Sequence, residues 1–216
     1  MSVKEKMTAI ADAIRDKTGG TEKLSIDAMA EEIPKVYDAG KEAEQQTFWE
    51  TYQRGGRRVQ YRNAFYDGYW TDVNYNPKYP IVCSALSASA FEYCGITDTK
   101  VDITVSSTNT TNVFRNCASL KTIRKLIVTE GVVFTNWFSG CTALENITFD
   151  GVIGQNLDIR WSPLTHDSLM SIINALKDYS ADTSGTTYTL TIGGTNLEKL
   201  TQEEIDIIIN KRWEYA

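Results

Sequence analysis

The chain has 216 residues, 28 acidic and 22 basic, for a formal charge of −6, and 11% of it is aromatic. That balance argues against nucleic acid as a partner, because phosphate binding needs clustered cations. No apolar run approaches the ~20 residues of a membrane span, and the opening MSVKEKMTAI alternates charge with apolar residues, so no export signal is expected there.

Residues 1–53 read as helical and acidic. Val3, Met7, Ile10 and Ile14 fall on one helical stripe, which Gly19 and Gly20 end. Ser25 caps a second helix, flanked by Leu24 and Met29 at the spacing of a hydrophobic staple, and Pro34 stops it. Val36, Ala39 and Ala43 mark a third. Such short helices are marginal alone in water, so the segment is expected to pack on itself, on copies of itself or on a larger assembly. The stripe spans under two heptads, which leaves self-association and docking both open.

Residues 54–90 change character. Arg54, Arg57, Arg58 and Arg62 lead into Tyr61, Phe65, Tyr66, Tyr69, Trp70, Tyr75 and Tyr79. Two readings fit: an aromatic lid over the segment that follows, or a binding surface, since tyrosine and tryptophan join apolar faces to a polar handle. Tyr66, Tyr69, Trp70 and Tyr75 are the candidates on the second reading.

From residue 91 to 161 a pattern recurs. Phe91 precedes Cys94, Phe114 precedes Cys117 and Phe138 precedes Cys141, with the cysteines 23 and 24 residues apart. Leu120 and Ile123 follow the second cysteine, Leu144 and Ile147 the third. Each unit continues into a β-rich stretch: 101–105, 126–128, 147–149 and 157–159. Stacked, these strands are expected to form one narrow parallel sheet, with Cys94, Cys117 and Cys141 as small buried residues in a column. Disulfides between units are the sharper alternative. Zinc finds no C-x(2–4)-C spacing and a single histidine.

The segment 162–216 is expected to cap the array. Thr165 opens a helix whose apolar face is Leu169, Ile172, Ile173 and Leu176; a strand is expected at 188–192; and Thr201–Glu204 spells a capping box.

The unit Phe-x-x-Cys-x-x-Leu-x-x-Ile, at 114–123 and 138–147, resembles the BspA-like leucine-rich repeat. The resemblance implies an α+β chain: a short leucine-rich-repeat β-solenoid with a helical N-terminal module and an α/β C-terminal cap, used for attachment or protein recognition. In the first unit Gly-Ile-Thr follows Cys94, and at the end Trp161 and Leu164 stand where phenylalanine and cysteine are expected. The flanks, IADAIRDKTGGTEKLSIDAMAEEI and YNPKYPIVC among them, look like structural proteins of phages and prophages of Gram-positive gut bacteria. That likeness implies a virion protein of the tail, fibre or baseplate, with other virion proteins as partners and no need of a signal peptide. A bacterial cell-surface adhesin or a cytoplasmic interaction module is the alternative.

Catalysis has little to build on. His166 falls in the first turn of a helix, and no glycine-rich phosphate loop is present. Folding can still bring two carboxylates together, which keeps a glycan-active enzyme as a further alternative. No cofactor or metal is expected. For binding, outward positions on adjacent units are the candidates: Lys121 and Arg124 beside Glu145 and Asn146. The expected ligand is a host cell-surface glycan or protein.

Overall fold

A computed structural model describes residues 58–59, 65, 70–73, 75–77, 80–83, 88–106, 108 and 110–216. All lie in one compact unit, Tyr52–Ala216. The helices expected within 1–53 lie outside the described residues, as do Tyr66 and Tyr69.

Five strands, β1 (Arg58–Val59), β2 (Ile81–Cys83), β3 (Asp102–Val105), β4 (Thr122–Val128) and β5 (Asn146–Gly151), form a parallel sheet in sequence order. The long connections suit parallel strands, which need a dozen or more residues to return to the same end. Burial alternates along the strands as a pleat with one covered face requires: Ile103 and Val105 are buried while Asp102 and Thr104 are half-exposed. Ile81 pairs with Ile103, Ile103 with Leu126 and Leu126 with Phe149, so apolar side chains meet their own kind across the ladder.

Beside the sheet, the Phe-x-x-Cys turns stack. Phe65, Phe91, Phe114 and Phe138 lie ring on ring at 4.4, 5.2 and 6.0 Å between centroids. Each such pair contributes about 0.5–1.5 kcal/mol beyond its burial. The turns need left-handed backbone twice per unit, two residues before and two after the phenylalanine: Ser89 and Tyr93, Asn112 and Asn116, Asn136 and Gly140. Asparagine and glycine tolerate that region best. At Gly140 a side chain would also run into the Asn116 carboxamide of the preceding unit.

After β5 the pattern changes. Helix α1 (His166–Ala175), capped by Thr165, lays Ser168, Leu169, Ile172 and Ile173 into the core. Its serines stand in for a missing strand. The Ser168 hydroxyl accepts from the Ile147 N–H at 2.9 Å and donates to the Glu145 carbonyl at 3.1 Å. The Ser171 hydroxyl does the same for the N–H and carbonyl of Phe149, at 2.7 and 3.2 Å. An open parallel edge templates pairing with other chains, and here a helix covers it.

A second parallel sheet follows, β6 (Leu157–Asp158), β7 (Tyr188–Thr191) and β8 (Trp213–Tyr215) in that order. Between its strands lie the one-turn α2 (Gly194–Leu197) and α3 (Gln202–Asn210), the latter opened by the Thr201–Glu204 capping box. Asn196 is buried, and its side-chain nitrogen reaches the carbonyls of Ile159, Ser162 and Ile192, fastening the ends of β6 and β7. The Lys211 ammonium meets the carbonyls of Ile173, Asn174 and Leu176 at 2.9 Å each, capping the end of α1, whose last turn carries no cation of its own.

This topology corrects the expected α+β architecture built on one leucine-rich-repeat β-solenoid. The strands form two separate parallel sheets joined by crossovers and short helices, an α/β mix. The stretch 157–159, expected as the next strand of the first sheet, pairs instead with β7. The physical reason is at the β5 edge, where the α1 serines already occupy the ladder positions. Trp161 is 56% exposed, so no fifth ring extends the stack, while Leu164 is buried.

Replacing Ser168 with alanine strands the Ile147 N–H, while the Glu145 carbonyl keeps the Thr165 N–H at 2.8 Å, at an expected cost of about 1–3 kcal/mol in urea unfolding. The Ser168→Ala/Ser171→Ala double variant is expected to self-associate through the uncovered edge, seen as a shift to higher mass in gel filtration. A double variant that stays at wild-type stability and mass would contradict the role given to these hydroxyls.

Candidate functional site

The sequence-based candidates separate into two groups. In the first, Trp70 is 8% exposed and Tyr75 fully buried. Phe65 meets both edge-on, at 5.6 and 5.9 Å, and the Tyr75 hydroxyl donates to the Thr99 carbonyl at 2.9 Å. The Lys100 ammonium covers the Tyr75 carbonyl at 2.6 Å. These two aromatics belong to the packing over the first Phe-Cys unit. Their surface is spent there, and neither is available to a ligand in this conformation.

The second group lies on the outward face of the five-stranded sheet. Lys121, Arg124, Glu145 and Asn146 are all exposed. Thr122 and Asn146 are ladder partners, and the Lys121 carbonyl accepts from the N–H groups of Glu145 and Asn146 at 3.0 Å each, so the two units are brought side by side. Between them β4 carries an irregularity: Ile123 pairs with Ile147 and Leu126 with Phe149, so Arg124 and Lys125 together oppose Thr148. This is a bulge, one extra residue that bends the strand and breaks strict alternation. Its consequence is that Arg124 and Lys125, which are sequence neighbours, lie between the buried Ile123 and Leu126 and both reach solvent. The bulged amide is not stranded, because the Arg124 N–H donates to the Thr99 hydroxyl at 3.0 Å. Sequence reasoning named Arg124 as a candidate and did not name Lys125, since a bulge is set by the partner strand.

Charge on this face is mixed and paired. Arg124 lies 3.4 Å from Asp102 and Lys125 3.0 Å from Asp150. The Lys125 ammonium, bonded to Asp150, holds that carboxyl below the ordinary carboxylate range. A concavity of about 260 Å³ opens beside them, bounded by Arg124, Asn146 and Thr148 from the sheet and by Thr165 and Asp167 at the start of α1.

The thiols are placed otherwise. All four cysteines are free and buried. The Cys94, Cys117 and Cys141 thiols donate to the carbonyls of Trp70, Phe91 and Phe114, each in the preceding unit, at 3.4, 2.8 and 3.0 Å. Burial pushes Cys83, Cys94 and Cys141 up to about 12 and Cys117 well above its usual value. A thiol is the small residue that fits this column and also satisfies a carbonyl. His166 is exposed, with Nε2 2.8 Å from Glu204 Oε1, a hydrogen-bond partner across two helices. Glu204 is held below the ordinary carboxylate range first by the backbone N–H of Thr201 and then by His166. Among the described residues, no group of three or more His, Cys, Asp or Glu side chains is placed to hold a metal, and no helix is long and apolar enough to cross a membrane.

Comparison with family models, with curated proteins and with solved structures finds no match to this chain. The site therefore rests on its own geometry.

Because only the thiolate reacts, thiols held this far up should resist alkylation. Iodoacetamide at pH 8 is expected to leave all four cysteines of the native protein unmodified and to label all four in urea, read by intact mass. Rapid modification of Cys117 in the native protein would contradict its burial.

Proposed function

We propose that this protein is a non-enzymatic recognition protein whose binding surface is the outward face of β4 and β5, and that it serves in a phage or prophage virion, in a tail, fibre or baseplate, against a host surface component or another protein. The observation that carries this reading is the β4 bulge. It sets two cations next to each other, with Asn146 and Thr148 on the adjoining strand and carboxylates of Asp102 and Asp150 at the margin. A surface of interspersed opposite charges steers encounter and selects a partner with the complementary pattern. The pairs are exposed, so they add little to folding, and they remain free to exchange partners.

The thiols add support from the other direction. Their hydrogen bonds and raised pKa values fit packing better than nucleophilic chemistry. The virion setting comes from the likeness of the amino-terminal segment to phage structural proteins.

The test is charge reversal at the bulge. Arg124→Glu/Lys125→Glu is expected to keep the wild-type melting temperature within a few degrees and to lower binding to cells of the bacterial strain in which the gene is found by at least about tenfold, one step of ~1.4 kcal/mol. Undiminished binding by the folded variant removes this face as the recognition surface.

A further inference from the structure

A second concavity, of about 440 Å³, lies between the segments 133–136 and 155–158, with Thr189 and Thr191 of β7 contributing to its wall. It arises from a failure of pairing. The preceding units are laced together in this region: the Asn112 N–H donates to the Thr135 carbonyl at 2.9 Å and the Asn116 N–H to the Ser139 carbonyl at 2.7 Å. One unit later the lacing stops. Among the described residues no backbone hydrogen bond joins 133–136 to 155–158, because β6 has turned to β7, and the Ile159 N–H donates to Thr191 instead. The two segments diverge and leave a groove.

The chemistry of the groove is dense in neutral hydrogen-bonding groups. Thr135 and Asn136 are exposed on one wall, Gln155 and Asn156 stand on the other, and the two threonine hydroxyls of β7 complete it. Asn156 is preset: its side-chain oxygen accepts from the Thr189 N–H at 2.8 Å, which fixes the carboxamide and leaves its NH2 group without a partner among the described residues. The one charged group in the lining, Asp158, is neutralised within the chain. Both its oxygens bond the Arg160 guanidinium, at 3.0 Å from Nε to each and 2.9 Å from Nη2. An ionic ligand would have to displace this bidentate pair to find a counter-charge here. Val133, 36% exposed, supplies a small apolar contact at the rim.

We infer that this groove is a binding site for a neutral oligosaccharide. A sugar ring offers adjacent hydroxyls that both donate and accept, which amide and threonine groups can match, and a C–H face that can rest on Val133. The volume lies within the range of small-ligand pockets and takes about two rings. An extended peptide is a poorer fit, since β6 offers only two residues of edge and strand addition needs a longer template with side-chain pockets. The groove stands apart from the bulged face of β4 and β5, so the two can fail separately.

The experiment is a titration of the isotope-labelled full chain, followed by amide chemical shifts, with maltose, lactose and N,N′-diacetylchitobiose, with sialyllactose as the anionic control and the tetrapeptide Val-Thr-Val-Thr as the strand control. At least one neutral disaccharide is expected to move the Thr135, Asn156 and Thr189 amides saturably at concentrations up to about 20 mM, with a Kd of about 1 mM or tighter. Thr135→Val/Thr191→Val, which keeps the shape and strand propensity while removing two hydroxyls, is expected to weaken that binding at least tenfold. Arg124→Glu/Lys125→Glu is expected to bind the sugar as the wild type does. The inference is overturned if no neutral disaccharide moves those amides, if only the peptide or the anionic sugar does, or if the double threonine variant binds undiminished. Sugar binding retained alongside undiminished cell binding by the charge-reversed variant would leave the groove in place and discard the sheet face.

Discussion

Parallel ladders tie residues of the five-stranded sheet to positions 22 to 24 further along the chain: Ile81 to Ile103, Ile103 to Leu126, Ile123 to Ile147. Once that lateral register is set, each buried position faces a near copy of itself. Rings then lie on rings, and each thiol beneath a phenylalanine turn finds the carbonyl of the turn before it. A slip of one residue would carry Ile103, Leu126 and Phe149 to the solvent face and put Asp102 or Lys125 into the core, so the register is strongly specified. The left-handed asparagines and Gly140 serve the same constraint, because they turn the chain tightly enough for the next unit to fall into line.

Such an array has no natural end, and here it is ended by chemistry on a helix. Ser168 and Ser171, three residues apart and so on one face of α1, present hydroxyls at the spacing of alternate residues of β5. Each hydroxyl both accepts and donates, which lets two side chains replace a strand. With that edge closed, the chain after β5 builds a second sheet, and the divergence between 133–136 and 155–158 opens the groove. The two candidate surfaces thus have a common origin in how lateral pairing is interrupted, by a bulge within β4 and by a change of partner at β6.

Much of the first sheet could be read from the residues alone. The recurrence of Phe91, Phe114 and Phe138 with their cysteines gave the period, alternation at 101–105 gave β3, and the Thr165 and Thr201 caps placed α1 and α3. Other features are not local. Whether 157–159 joins the first sheet depends on which groups already occupy the β5 edge, and the hydroxyls that do so are ordinary serines on a helix. The bulge at Arg124 and Lys125 depends on Ile147 and Phe149 across the ladder, which no single-strand pattern encodes. Tyr75 and Trp70 could be read as lid or as ligand surface, the lid being the stronger reading, because an aromatic residue's identity does not say which of its neighbours it faces. One signal was legible and went unused: Asn112, Asn116, Asn136 and Gly140 recur at fixed offsets from the phenylalanines, and residues tolerant of left-handed backbone at such offsets mark the turns.

The proposed recognition role is compatible with this construction, since the column of rings and thiols is buried and the outward strand positions face solvent. The central claim is that the first sheet is a single laterally bonded stack closed at one end by α1. Native-state amide hydrogen exchange tests it most directly. The Ile147 and Phe149 amides, which bond only to serine hydroxyls, are expected to be protected to the same free energy as the Ile103 and Leu126 amides inside the sheet, all opening together in global unfolding. Fast exchange at Ile147 and Phe149 with protection kept at Ile103 and Leu126 would mean that the edge of β5 is open and that the stack is not closed as described.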